Sequence, residues 1–189
     1  MRHAGAVLAC SLLAACASVP PGQLAPRDRI GDFALDARFA LRVSAPNGPP
    51  ENSGGRLEWE HKNGNDRILI SSPLGVGVAE IDVGPGGGRL RTADGQLRES
   101  ADADALMEEV TGQRLPVRQL PNWLLGRSGA TAMVMSDSAG RPESLSEAGW
   151  QIDYAYPDDS PGALPKLVSL RRDGEIDLHL RIEEWRTAP

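Results

Sequence analysis

Cysteine, net positive charge and long apolar runs are all scarce in this 189-residue chain. The two cysteines, Cys10 and Cys16, sit near the start. The body of the protein can therefore hold neither a disulfide framework nor a cysteine-based metal site. Lys and Arg number 20 against 26 Asp and Glu, for a net charge of −6. No basic stripe relieves that deficit, so nucleic acid is not an expected partner. No stretch approaches the roughly 18 apolar residues of a membrane-spanning helix. What abounds is glycine and proline, 21 and 15 residues. So many breakers favour short strands joined by turns over long helices. With 40% apolar and 24% charged residues the composition is globular, and the length suits one domain.

The N-terminus reads as an address. Met1-Arg2-His3 is a short basic head, and residues 4–15 carry no charge. That segment would rise only about 18 Å as a helix, against a bilayer core of about 30 Å. It has the anatomy of a secretory leader. The leader ends Leu13-Ala14-Ala15-Cys16, which resembles the bacterial lipobox. That resemblance implies cleavage before Cys16, a diacylglyceryl thioether on its sulfur and an N-acyl chain on its new amino group. Cys10 reads as a small apolar residue of the leader. Two or three acyl chains, at roughly 0.8 kcal/mol per buried methylene, anchor a protein durably. By the same resemblance Ala17, at the position where an aspartate commonly signals retention in the inner membrane, implies the outer membrane. Loss of Arg2 with the leader moves the net charge from −6 to −7, so anchoring rests on the lipid. Residues 17–29 hold three prolines and little apolar content and read as a tether. The expected organisation is a signal peptide at 1–15, lipidated Cys16 with its tether to residue 29, and one domain over 30–189.

From residue 33 onward the pattern is β. Phe33, Leu35, Ala37, Phe39, Leu41 and Val43 alternate with more polar neighbours over eleven residues, a long half-buried strand. Residues 44–55 read as a turn-rich, mobile stretch. Leu57 and Trp59 alternate with Glu58 and Glu60, and Asn63-Gly64 signals a hairpin. Further strands are expected at 67–71, 76–83, 89–92 and 96–98. Then the pattern changes. Ser100 is a fair N-cap for a helix over 101–110, ended by Gly112, and residues 120–125 suggest a second short helix. Strands resume at 130–135, at 150–156 with Trp150, Ile152, Tyr154 and Tyr156 in alternation, at 166–171 and at 176–182. The expected fold is mainly β: nine to eleven antiparallel strands in a curved meander or unclosed barrel, with a small helical insert.

Residues that would carry catalysis form no constellation. His61 lies at a strand end and His179 on a polar strand phase, with no second ligand nearby in sequence. Ser128 and Ser138 lack the glycines of a nucleophile elbow. The glycines of residues 84–88 open no helix, so they cradle no phosphate. Asp102 and Asp104 suit a helix start better than a calcium loop. Glu58 and Glu60 share a wet strand face, and adjacent Glu183 and Glu184 point apart. Enzymatic activity is not expected.

What remains is apolar architecture. A curved sheet under a helical flap can be a container lined by Phe33, Phe39, Leu41, Trp59, Trp123, Trp150 and Ile152. The same stripes more often make a filled core, and periodicity alone does not separate the two. Here a family resemblance adds to the reading. The pieces that carry it are Phe39-Ala40-Leu41-Arg42-Val43, Leu57-Glu58-Trp59, Ser72-Pro73-Leu74-Gly75, Leu115-Pro116-Val117, Trp123-Leu124-Leu125-Gly126, Gly149-Trp150-Gln151-Ile152, Leu164-Pro165 and Trp185. In order and spacing they resemble the LolB family of outer-membrane lipoprotein receptors. The tether is shorter than that pattern suggests, and residues 44–55 are richer in glycine and proline.

The resemblance implies an unclosed β-barrel with a helical lid over a hydrophobic cavity. It implies a monomer that accepts lipoproteins from the soluble periplasmic carrier LolA and inserts them into the inner leaflet of the outer membrane. It also implies that Pro73, Leu74 and Gly75 form the membrane-insertion loop, and no cofactor beyond the lipid on Cys16. Two alternatives share the anchor: an envelope lipoprotein that transports glycolipid or phospholipid, and a structural lipoprotein with a packed core.

Overall fold

A computed structural model describes residues 27–44 and 48–188. Cys16 and most of the expected tether lie outside the described residues. A single 3-10 turn, Arg27–Arg29, leads into one eleven-stranded antiparallel sheet. In chain order the strands are β1 (Phe33–Val43), β2 (Glu51–Lys62), β3 (Asn65–Ser71), β4 (Gly77–Gly84), β5 (Gly87–Thr92) and β6 (Leu97–Ser100). Helices α1 (Ala103–Thr111) and α2 (Leu120–Leu124) follow. The chain ends with β7 (Met133–Ser136), β8 (Pro142–Glu147), β9 (Trp150–Ala155), β10 (Leu167–Arg172) and β11 (Ile176–Arg186).

Their order across the sheet is β6-β5-β4-β3-β2-β1-β11-β10-β9-β8-β7. Every neighbour but one is a hairpin partner. The exception joins the two terminal long strands, β1 and β11, at the centre. The helical insert falls between the two edge strands, β6 and β7, which do not pair with each other. The barrel is therefore unclosed, and the insert covers what closure would have sealed.

The alternation in β1 and β11 decides which face is inside. Leu35, Ala37 and Leu41 on β1, and Ile176, Leu178, Leu180 and Ile182 on β11, are buried. Arg38 and Glu183 pair at 2.7 Å on the outer face. At the β2–β3 turn Asn63 and Gly64 both take positive φ, 52° and 72°, the primed turn whose twist matches that of the strands.

The structure differs from the sequence reading in four places. Residues 51–55, expected to be mobile, are the first half of β2 and pair with Phe39 through Val43. Backbone pairing holds this polar, glycine-containing stretch in place, so no hydrophobic rhythm announces it. Gly55 is required there: a Cβ would sit 2.1 Å from the Ser71 carbonyl oxygen and 3.1 Å from the Phe39 ring. Gly55→Ala should destabilise the fold by about 2 kcal/mol or more through overpacking. At Gly54 a Cβ would approach the Phe39 carbonyl oxygen at 3.0 Å, so Gly54→Ala should cost less. Urea melts of the two variants check the ranking.

The cap of α1 is Asp102, not Ser100. The Asp102 carboxylate accepts from the Asp104 and Ala105 amides at 3.1 and 3.3 Å. Ser100 Oγ accepts from the Asp102 amide one step earlier. Arg114 pairs with Asp102 and holds its carboxyl below the ordinary carboxylate range. The third difference is β8, which the sequence reading lacked. The fourth is β7, which begins at Met133 rather than residue 130.

Candidate functional site

The two halves of the sheet are filled differently. Under β8–β10 the space is solid. Trp123 of α2 is 1% exposed and donates from Nε1 to Glu147 at 2.7 Å. The same carboxylate accepts from the Gly129 amide. The Trp123 and Trp150 rings lie 6.1 Å apart, and Tyr154 donates its hydroxyl to the Trp123 carbonyl at 2.8 Å. Burial pushes the Tyr154 phenol well above its ordinary range. Ile152, Leu145, Val168 and Leu170 are fully buried around this group.

Under β1–β4 the space is hollow. An apolar cavity of about 260 Å³ lies between the sheet and α1. Its wall is Phe39 and Leu41 of β1, Leu57 and Trp59 of β2, Ile68 and Ile70 of β3, and Leu178 and Leu180 of β11. Its lid is Met107, Val110 and Thr111 of α1, Leu115, and Leu120 of α2. Ser53, Gly54, Ser71, Ser72, Pro73 and Val78 complete the lining. Apart from the Trp59 indole N–H, which is bonded to Asp66, the polar side-chain groups of this set are small hydroxyls, so the interior suits a hydrocarbon chain. A fully packed core, one of the alternatives weighed above, is not what this half of the fold contains.

Of the seven residues expected to line a container, Phe39, Leu41 and Trp59 are on the cavity wall. Phe33, Trp123, Trp150 and Ile152 are not, which corrects that part of the expectation. Trp123, Trp150 and Ile152 belong to the solid half. Phe33 plugs the far end of β1, stacked on His61 at 5.3 Å and edge-on to Trp185 at 5.4 Å. Trp59 turns its polar edge away from the cavity: Nε1 donates to Asp66 at 2.8 Å. Asp66 also lies 2.7 Å from His61 Nδ1, so this buried carboxylate is satisfied by structural neighbours. Sequence reasoning missed the lid residues Met107, Leu115 and Leu120, and also Leu178 and Leu180. The alternation of β11 carried a signal for the last two.

Beside the cavity the β3–β4 connection forms a rigid tip. The Gly75 amide donates to the Ser72 carbonyl at 2.8 Å, and the Ser72 amide donates to the Val76 carbonyl at 2.8 Å. Val76 N–H also reaches Ser72 Oγ at 3.2 Å. Pro73 holds the second turn position, and Gly75 takes φ +82°, a conformation that a side chain would strain. Leu74 is thereby thrown outward, 93% exposed.

Other polar groupings have local explanations. A cleft of about 940 Å³ at the β2–β3 and β4–β5 turns is wide open and carries both charge signs, including Glu60, Lys62, Arg67, Asp82, Arg89 and Glu99. Ser169 Oγ lies 2.9 Å from His179 Nδ1, and His179 Nε2 lies 2.9 Å from Asp177. This outer-face trio resembles a hydrolase triad. However, β10 and β11 each have a strand on both sides, so the ladder consumes the amides that an oxyanion hole would need. Arg141, 5% exposed, pairs with Asp137 at 2.7 Å and donates to the Ser160 carbonyl at 3.1 Å. It also packs over the Tyr156 ring. It clamps the loop that follows β9 and holds the Asp137 carboxyl below its ordinary value. Among the described residues no cluster of three or more His, Cys, Asp or Glu could hold a metal. No described helix is long and apolar enough to cross a membrane.

Comparison with known proteins places this geometry. The family model described as outer membrane lipoprotein LolB matches residues 31–185. The chain belongs to the LolB family. The outer-membrane lipoprotein LolB of Dechloromonas aromatica (strain RCB) is 58% identical over 183 residues, covering 97% of this chain and 96% of that one. The LolB of Azoarcus sp. (strain BH72) is 36% identical over 185 residues, covering 95% and 94%. Among solved structures, a LolA superfamily protein from Nitrosomonas europaea overlays with a TM-score of 0.48 at 11% identity, covering 87% of this chain and 90% of that one. LolB membership makes this chain an outer-membrane lipoprotein of the machinery that delivers lipoproteins, on a mainly β, unclosed fold.

Proposed function

We propose that the chain is anchored through lipidated Cys16, receives lipoproteins from a LolA-type periplasmic carrier and holds their acyl chains in the β1–β4 cavity. It then inserts them into the outer membrane at the Leu74 tip. The observation that carries this reading is the apolar hollow that the protein's own side chains leave unfilled. At about 260 Å³ it lies just below the roughly 300–1,000 Å³ of typical ligand pockets. It takes part of one chain as it stands, and lifting α1 enlarges it.

No bond is made or broken in such a transfer, and no nucleotide is needed. Each methylene moved out of water gains roughly 0.8 kcal/mol whether the destination is a pocket or a bilayer. The protein's work is to keep the chains dry in between. A non-enzymatic role follows from that division of labour. The tether over residues 17–29 then lets the body meet both the carrier and the membrane.

The test is to fill the hollow. Leu57→Trp puts an indole into the cavity from a wall position. It should reduce acceptance of a labelled lipoprotein from the loaded carrier by about tenfold or more, while the melting temperature stays near that of the parent. Normal acceptance by a folded Leu57→Trp protein would remove the cavity from the mechanism. A chain that retains phospholipid through purification and takes nothing from the carrier would instead be a lipid transporter.

A further inference from the structure

The cavity has a mouth, and the mouth is asymmetric. Four of its lining residues are exposed: Ser53 and Gly54 on β2, and Pro73 and Val78 on the β3–β4 hairpin. One lip is thus small and polar, the other apolar. The apolar lip does not stop at the cavity. Val78 is 43% exposed, Val76 66% and Leu74 93%, so oily surface rises in steps from the mouth to the hairpin tip. Nothing comparable connects the cavity to the open seam of the barrel, because no residue of strands β5 to β10 is among its lining residues. The solid half around Trp123 stands between the cavity and the β7 edge.

We propose that acyl chains pass between the cavity and the bilayer over this hairpin, with Pro73 and Val78 as the threshold and Val76 and Leu74 as the continuing track. The route rests on the reading that the cavity holds an acyl chain. It adds the path, and two positions, Val76 and Val78, that decide the rate of passage. A methylene leaving the threshold meets another apolar side chain instead of water, so the unfavourable exposure at each step stays small. A carboxylate on the track interrupts that surface with bound water. A barrier placed on a route slows movement in both directions and leaves the end states unchanged. Equilibrium occupancy therefore separates an altered path from an altered cavity.

The experiment uses the full lipidated chain in vesicles of phosphatidylethanolamine and phosphatidylglycerol, with anthroyloxy-palmitate as probe. Energy transfer from tryptophan, with Trp59 in the cavity wall, reports occupancy. Its decay after mixing with excess probe-free vesicles reports release. Val76→Asp should slow release about tenfold and change equilibrium occupancy less than about threefold; Val78→Asp, at the cavity rim, should slow release as well. Val134→Asp, as exposed as Val78 but on the β7 edge, should change neither. Val76 lies outside the cavity lining, so Val76→Asp decides the matter even if Val78→Asp folds poorly. Release at the parent rate from both variants overturns the route, as does a loss of occupancy without slowing. Absence of energy transfer in the parent chain overturns the cavity reading itself, and that result is visible before any variant is made.

Discussion

Leu74→Glu should fold normally and fail to insert its cargo. The side chain is almost entirely in water, and the turn is held by the Gly75, Ser72 and Val76 backbone bonds rather than by the leucine. Stability should therefore change by no more than about 0.5 kcal/mol. Membrane entry is a different matter. A carboxylate at the centre of a bilayer costs about 2.5–3.5 kcal/mol, and somewhat less near the interface. A loss of insertion of about tenfold to a hundredfold follows. Leu74→Phe, which keeps an apolar tip, should insert. The measurement is transfer of a labelled lipoprotein from the variant into vesicles, beside a thermal melt. A Leu74→Glu protein that inserts at the parent rate would show that the tip never enters the acyl region.

The largest loss of stability should come from Trp123→Ala. Truncation empties a fully buried site, where large aromatic deletions cost about 3–5 kcal/mol. It also strips Glu147 of a donor in a part-buried site. A domain of this size should melt roughly 10 °C lower. Because Trp123 lies on α2, and α2 carries the lid residue Leu120, the variant should also accept cargo poorly even below its melting temperature. Trp123→Phe restores most of the packing but not the hydrogen bond, and should recover most of the stability. Differential scanning calorimetry of the three proteins checks the order.

Strands whose buried face is continuous were legible from sequence alone. β1 shows its period over its whole length, and β11 shows it from Ile176 to Ile182. β8 did not, because only Pro142 and Leu145 of its six residues are buried and its place is set by the neighbouring strands. The first half of β2 was hidden for a related reason: backbone pairing with β1 holds it, and its residues are small or polar, all exposed but Gly55. The cavity was half legible. Phe39 and Trp59 line it while Phe33 and Trp150 do not, yet all four sit in equivalent alternating stripes. What separates them is the opposing surface: Trp123 of α2 meets Trp150, and His61 and Trp185 close over Phe33, whereas Phe39 and Trp59 face the cavity. A strand's own sequence contains no record of what faces it. The tip was more accessible, since Ser-Pro-Leu-Gly dictates its turn locally and leaves the leucine no shelter.

The uneven filling of the sheet also dictates how the molecule gives way. Around Trp123, Glu147 and Tyr154 three elements are stitched together by buried and half-buried hydrogen bonds, so that side is a stiff back. On the other side α1 rests on β4, β5 and β6 with empty volume behind it. Strain from a guest entering the cavity would be absorbed where resistance is least. On the proposed function the body should swell like a purse sewn along one edge, its back staying still while its front bulges.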